Sequence, residues 1–231
     1  NYHLNFIHSR SRKFIGRKEI MDQLTKHVNG PHHSTIAVIG KAGSGKSALV
    51  ATFAREYAKQ HPNVFVLPHF IGASPRSTDI RHTLRRLCNE LCHRFHIQEE
   101  IPDDYKELCQ TFVSVIEQAS FKGRILLIID ALDQLSKADR AHNLDWLPSS
   151  DSLPIKLIVS TLEGPCLENL RRKKWNVPEV IVAGLSLKER REIVVETLAD
   201  YRKKLDEKPM NDQMRVLLKK TDSDKPLYLV L

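Results

Sequence analysis

The sequence predicts an α/β fold in which a five-stranded parallel sheet lies between two helical layers and is followed by a small α-helical lid. Three observations predict it. Short β-branched apolar runs alternate with helical periodicity up to about residue 185. A glycine-rich loop separates the first run from a helical pattern, and from Leu187 onward the apolar spacing is helical only. A length of 231 residues suits one full domain plus a partial second module.

The first strand is expected at Ser34 to Ile39, after the turn Asn29-Gly30-Pro31. Directly behind it, Gly40-Lys41-Ala42-Gly43-Ser44-Gly45-Lys46-Ser47 fits G-x-x-x-x-G-K-[ST], a phosphate-binding loop. Gly43 and Gly45 permit a coil whose backbone N–H groups point at the phosphates, Lys46 reaches the β and γ oxygens, and the Ser47 hydroxyl can ligate Mg²⁺. The nucleotide-binding set is therefore Gly40, Ala42, Gly43, Ser44, Gly45, Lys46, Ser47 and Ala48. A helix carrying Leu49, Phe53 and Tyr57 follows, and its dipole favours an anion at its start.

Asn63 to Ile71 reads as a second strand, with Pro68 assigning it to an edge or a bulge. Ile80, Leu84, Leu87, Leu91 and Phe95 give a helix with one buried face, and Arg81, Arg85, Arg86 and Arg94 are expected to meet water or a partner. Pro102 is expected to open the next helix and Lys122-Gly123 to close it. Ile125 to Ile129 is a strand covered on both faces that ends in Asp130. A fourth run, Ile155 to Thr161, follows Asp151-Ser152-Leu153-Pro154, and a short fifth strand is expected at Val180 to Val182. Helices are expected at Glu189 to Leu198, at Met210 to Lys219 and from Pro226. Pro226 to Leu231 is apolar and stops without a cap, the mark expected of a piece of a longer chain.

An aspartate at the carboxyl end of a parallel strand sits where open α/β sheets bind ligands, so Asp130 is the expected Mg²⁺ ligand together with Ser47. Asp133 is close enough to orient or deprotonate a water near the γ-phosphate, while Gln134 can position a water without taking its proton. Ser160 and Thr161 end the fourth strand, where they either bond the γ-phosphate or the attacking water or cap the next turn.

The formal net charge is +8 and the pI about 9.3, with the excess in Arg10 to Lys18, Arg171 to Lys174, Lys188 to Arg191 and Arg202 to Lys204. Acidic residues interrupt several of these runs and aromatics do not interleave with them, so solvated helix faces are favoured and nucleic acid is not an expected partner. No run is long enough for a bilayer span and no signal peptide opens the chain, which points to a soluble, cytoplasmic protein. Cys88, Cys92, His93 and His96 hint at a metal, yet Cys88, Cys92 and His96 share a helical stripe with core positions; buried thiols are the simpler expectation.

Phe14-Ile15-Gly16-Arg17-Lys18-Glu19, the phosphate loop, Ile128 to Asp133 and Ile158 to Thr161 together resemble the signal-transduction ATPases with numerous domains, and within them the NACHT group. His69 to Ser74, Leu84 to Cys88 and Lys225 to Leu229 are similar to its nephrocystin-like and telomerase-protein-like branch. The resemblance implies an ATP- or ADP-binding switch that forms homo-oligomers and is joined to a winged helix and protein-binding repeats. It further implies that Ile15 and Gly16 contact the adenine, that Arg17 reaches a phosphate or the sheet, and that Pro226 touches the base from the other side. Gln134 and Leu162 depart from the group's usual Glu and Arg, which implies slow hydrolysis.

The organisation that results is a lead-in of residues 1–30, a nucleotide-binding domain of residues 31–185 and a helical lid of residues 186–231. Competing readings are a scaffold that holds nucleotide without turnover, a DNA-associated ATPase of the origin-loading type and a small-molecule kinase.

Overall fold

The computed structural model describes residues 2–12, 14–31, 35–148, 155–173 and 177–230. Ser34, the Asp151–Pro154 lead-in, Lys174 and Leu231 lie outside the described residues. Strands β1 (Thr35–Ile39), β2 (Val64–Phe70), β3 (Arg124–Asp130), β4 (Lys156–Thr161) and β5 (Glu179–Ile181) form a parallel sheet in the order β2-β3-β4-β1-β5. The expected five-stranded sheet with flanking helices is present. β2 is an edge strand, as Pro68 requires.

Alternation along the strands explains the two layers, because successive side chains point to opposite faces. Leu127, Ile129, Leu157 and Val159 face helices α4 (Ile80–Phe95) and α5 (Tyr105–Lys122) in one apolar core. Leu126, Ile128, Ile36, Val38 and Ile158 face α2 (Lys18–Asn29) and α3 (Lys46–Gln60) in the other. The registers Ile39↔Thr161 and Phe70↔Asp130 bring the carboxyl ends of β1, β3 and β4 to one edge of the sheet. Helix α6 (Pro165–Arg172) connects β4 to β5. Beyond the sheet, α7 (Leu187–Asp200), α8 (Gln213–Leu218) and α9 (Pro226–Val230) share a separate apolar cluster built on Leu185, Ile193, Val194, Met214 and Leu229.

Three expectations need correction, and one helix is unforeseen. Helix α5 starts at Tyr105 rather than at Pro102, because the Asp104 carboxylate accepts from the N–H groups of Lys106 and Glu107 and caps the helix there. The tail is not all helical. A short antiparallel pair, β6 (Glu207–Lys208) and β7 (Asn211–Asp212), precedes α8, which runs over Gln213–Leu218 instead of Met210 to Lys219. Asp206 organises that turn by accepting from the Lys208 N–H, and Asp212 caps α8 through the Arg215 N–H. The arginine face of α4 is not simply solvated, since Arg86 turns inward and donates to the Pro68 carbonyl and to His69. Finally, residues 2–11 form a helix, α1 (Tyr2–Ser11), that the pattern did not signal.

Helix α1 was illegible because two of its three buried positions are polar: His3, Ile7 and Ser11 recur every four residues, but only Ile7 is apolar. His3 Nδ1 accepts from the Phe70 N–H at 3.1 Å, so α1 docks on the edge strand. Its ring lies 4.6 Å from that of His69. Arginine can only donate, so Arg86 fixes His69 Nδ1 as an acceptor and Nε2–H as the donor to Thr83 Oγ1. Burial first, then the Arg86 charge, lowers the His3 pKa to about 4, and burial holds His69 well below its ordinary value.

A histidine with a lowered folded pKa stabilises the fold in full above the unfolded value near 6.5 and loses that contribution as pH falls through the folded pKa. Thermal midpoints are therefore expected to drop steeply between pH 6.5 and about 4, and His3→Asn, which keeps an acceptor without titrating, should flatten that drop. Parallel pH profiles in the two proteins would show that the docking of α1 is not proton-linked.

Candidate functional site

The phosphate loop wraps the junction of β1 and α3. Gly43 and Gly45 have φ of +76° and +94°, which side-chain-bearing residues rarely adopt, so the motif's glycines are needed where they stand. Gly40 is constrained differently: a Cβ there would lie 2.8 Å from both the Ser44 Oγ and the Val182 carbonyl oxygen. The Ser44 amide donates to the Lys41 carbonyl at 3.2 Å and closes the coil. Lys46 Nζ donates to the Gly40 and Lys41 carbonyls at 2.6 and 3.2 Å. Ala42 is exposed at the tip and Ala48 sits in the first turn of α3.

Asp130 ends β3 with 1% exposure. Its carboxylate accepts from the Ser160 hydroxyl, and the nearby Ser47 hydroxyl favours its ionised form. The Ser160 oxygen in turn accepts from the Ala131 N–H at 2.8 Å, so Ser160 locks the backbone beyond the acid. Burial pushes the Asp130 carboxyl up; its two serine partners and Lys46 pull the other way without reversing it. Burial likewise lowers the Lys46 ammonium against the attraction of Asp133 and Asp130. Asp133 Oδ1 accepts from the Leu162 N–H at 3.0 Å, tying the exit of β3 to that of β4. Thr161 and Ser44 are buried with hydroxyl oxygens that bond nothing among the described residues.

The segment ahead of α2 links this edge of the sheet to the helical tail. Ile15 packs against the cluster of α7, α8 and α9. Gly16, at φ +75°, lies against the carboxylate of Glu189 on α7. Arg17 donates through its backbone N–H to Glu189 Oε1 and through Nη2 to the Ser44 carbonyl, both at 3.3 Å. Pro226, which opens α9, stands 3.2 Å from the Cβ position of Gly45, and Lys225 and Leu227 flank Gly43. A groove of about 450 Å³ opens beside the loop, lined in part by Lys41, Ala42, Ser44, Leu162, Val182 and Lys225.

The structure thus gathers Ser47, Lys46, Asp130, Asp133 and Thr161 at the carboxyl edge of the sheet, with Ile15, Gly16, Arg17 and Pro226 at the tail's approach to it. Ser160, expected to bond a phosphate or water or to cap a turn, is instead the holder of Asp130, and one contributor has no functional signal in the sequence. Glu189 carried a signal, the Ser186-x-x-Glu189 capping box, that spoke only of a helix start. A second concavity of about 550 Å³ lies on the outer face of α4 beside Arg85, Arg86 and His93 and contains none of these residues.

The donor set fits a Mg²⁺–nucleotide: the Ser47 hydroxyl close to the buried Asp130 carboxylate, two unpartnered buried hydroxyls, and an ammonium held at the loop's mouth. The comparisons with known proteins agree. Residues 13–160 match the AAA ATPase domain family. The chain is 33% identical over 223 residues to telomerase protein component 1 of Rattus norvegicus, matching 93% of this chain and 8% of that protein. It is 30% identical over 156 residues to NACHT and WD repeat domain-containing protein 2 of Mus musculus, across 64% of this chain and 9% of that one. The chain therefore spans about a tenth of the length of these relatives. Among solved structures, the Aeropyrum pernix ORC1 protein in complex with DNA shares the fold, with a TM-score of 0.54 at 18% identity over 84% of this chain and 49% of that one. The chain belongs to the AAA ATPase domain family and is a NACHT-like P-loop NTPase.

Proposed function

We propose that the chain is an ATP-binding switch module of the signal-transduction class, cytoplasmic and oligomerising, in which the bound nucleotide sets the position of the helical lid and hydrolysis is slow. The single observation that carries this reading is the seating of Pro226 and its neighbours against Gly43 and Gly45. A ligand held by the loop must alter that contact, and a ligand shifts a conformational equilibrium only through such differential contacts. We divide the chain accordingly into residues 1–30, 31–185 and 186–231.

In this reading Gly40, Ala42, Gly43, Ser44, Gly45, Lys46 and Ala48 hold the phosphates, Ile15, Gly16, Arg17 and Pro226 flank the adenine, and Ser47 with Asp130 holds Mg²⁺. The metal ion supplies charge neutralisation at the phosphate oxygens. Asp133 orients the attacking water, and Thr161 offers its unpartnered hydroxyl to the γ-phosphate. Leu162 brings no positive charge to the exit of β4, and that slows turnover.

The test is mass spectrometry of the purified, denatured protein for a carried-over adenine nucleotide, combined with ATP hydrolysis by wild type and Asp133→Ala. Recovered ADP or ATP, with a slow turnover that Asp133→Ala lowers about tenfold or more, is the expected outcome. Bound nucleotide with equal near-zero rates favours the scaffold reading.

A second reading, a DNA-associated ATPase, draws on the net charge of +8. Its basic runs carry their own acids, as in the pairs Arg171–Glu179 and Arg191–Glu207. Duplex binding with a steep salt slope would support it.

A further inference from the structure

We infer that Glu189 is a positioning residue through which the lid grips Arg17 and, by way of Arg17, the phosphate loop. The inference rests on the switch reading above and names the contact that transmits it.

Arg17 is bonded to both bodies at once. Its backbone N–H donates to Glu189 Oε1 on α7, and its guanidinium donates to the Ser44 carbonyl inside the loop. Its backbone is held at φ +60° directly after Gly16 at +75°, a left-handed pair that costs conformational energy at the arginine and persists only where its surroundings fix it. The Arg17 carbonyl accepts from the Ile20 and Met21 N–H groups at the start of α2, while its N–H and its guanidinium are left for Glu189 and the loop.

Glu189 is built to serve two partners. Its Oε2 accepts from the Ser186 N–H and hydroxyl at 2.8 Å, which caps α7, while Oε1 is left for Arg17. Burial raises its carboxyl, but the bonds from Ser186 and Arg17 and the charge of Arg17 outweigh that, so it stays ionised. Gly16 admits this approach, because a Cβ there would collide with the Glu189 carboxylate. Glycine at position 16 is thus explained by the lid as well as by any base it faces.

The consequence is a relay. The Ser44 carbonyl belongs to the coil whose amides face the phosphates, so a change in the loop moves the acceptor of the Arg17 guanidinium and strains the Arg17–Glu189 bond. The lid is held most firmly in the loop conformation that satisfies both contacts.

The experiment measures dissociation of a fluorescent adenine nucleotide from wild type, Glu189→Gln, Arg17→Ala and the double variant, with the thermal midpoint of each nucleotide-free protein. Glutamine retains an acceptor for the Ser186 N–H and removes the charge. Each single variant is expected to release nucleotide about tenfold faster, the loss of one charge-assisted bond. The double variant should release it no faster than the singles, because both break one chain of contacts. Multiplicative effects in the double variant, or wild-type release from Glu189→Gln, overturn the relay. A merely structural role would lower the nucleotide-free midpoint and leave release unchanged, which also overturns it. Wild type that binds no nucleotide removes the switch reading and the relay together, whereas binding that is indifferent to Glu189 removes the relay alone.

Discussion

Replacing Lys46 by alanine is expected to weaken Mg²⁺–ATP binding by at least about 100-fold while the protein still folds. The ammonium stands at the loop's mouth, bonded to the Gly40 and Lys41 carbonyls at 2.6 and 3.2 Å. Each charge-assisted bond it makes to a phosphate is worth about 1.5–3 kcal/mol, so two lost bonds amount to about two or more factors of ten. The fold loses less, because Lys41 is exposed and water replaces the ammonium on its carbonyl, while the glycines that shape the coil are untouched. Calorimetric titration measures the affinity, and the thermal midpoint without nucleotide reports the fold. An affinity within a few-fold of wild type would remove the assignment of this loop to phosphate.

The sheet was legible because its strands are buried on both faces and therefore read as unbroken apolar runs; Ile125 to Ile129 admits no other reading. The phosphate loop was legible because its chemistry is local: the glycines, Lys46 and Ser47 act within eight consecutive residues. What the sequence hid depends on partners far along the chain. Helix α1 is held by His3 on Phe70, 67 residues away, with a buried stripe too polar to register as amphipathic. Glu189 meets Arg17 across 172 residues, and its capping role gave a sufficient local reason for its presence. Periodicity misleads near Lys208 because a turn fixed by Asp206 ends one pattern and a cap at Asp212 begins another, while the apolar spacing of Met210 to Lys219 runs on past the cap.

Converting Asp130 to asparagine is expected to stabilise the nucleotide-free protein and to abolish its response to Mg²⁺. Burial raises this carboxyl, so the folded state binds its proton more tightly than the unfolded chain does. The sign follows. The contribution of Asp130 is most favourable at low pH and is given up as pH rises from the ordinary carboxylate range through the raised value, above which burial disfavours the ionised group. Asparagine keeps an oxygen to accept from Ser160 and carries no charge to bury. Each 1 kcal/mol gained would raise the midpoint of a domain this size by roughly 2–4 °C. Glu189, Asp139 and Glu179 have lowered values and push stability the opposite way with pH, so the difference between wild-type and variant curves isolates Asp130. Ligand binding adds about 2.7 kcal/mol at 100 times the dissociation constant, and in wild type part of that increment should depend on Mg²⁺. In Asp130→Asn the increments with Mg²⁺ and with chelator should coincide, because the hydroxyl of Ser47 alone leaves the cation one anionic oxygen short. A variant less stable than wild type under both conditions would make Asp130 a structural anchor for Ser160. Persistence of the Mg²⁺-dependent increment would move the metal site elsewhere on this edge of the sheet, with Asp133 the next carboxylate in line.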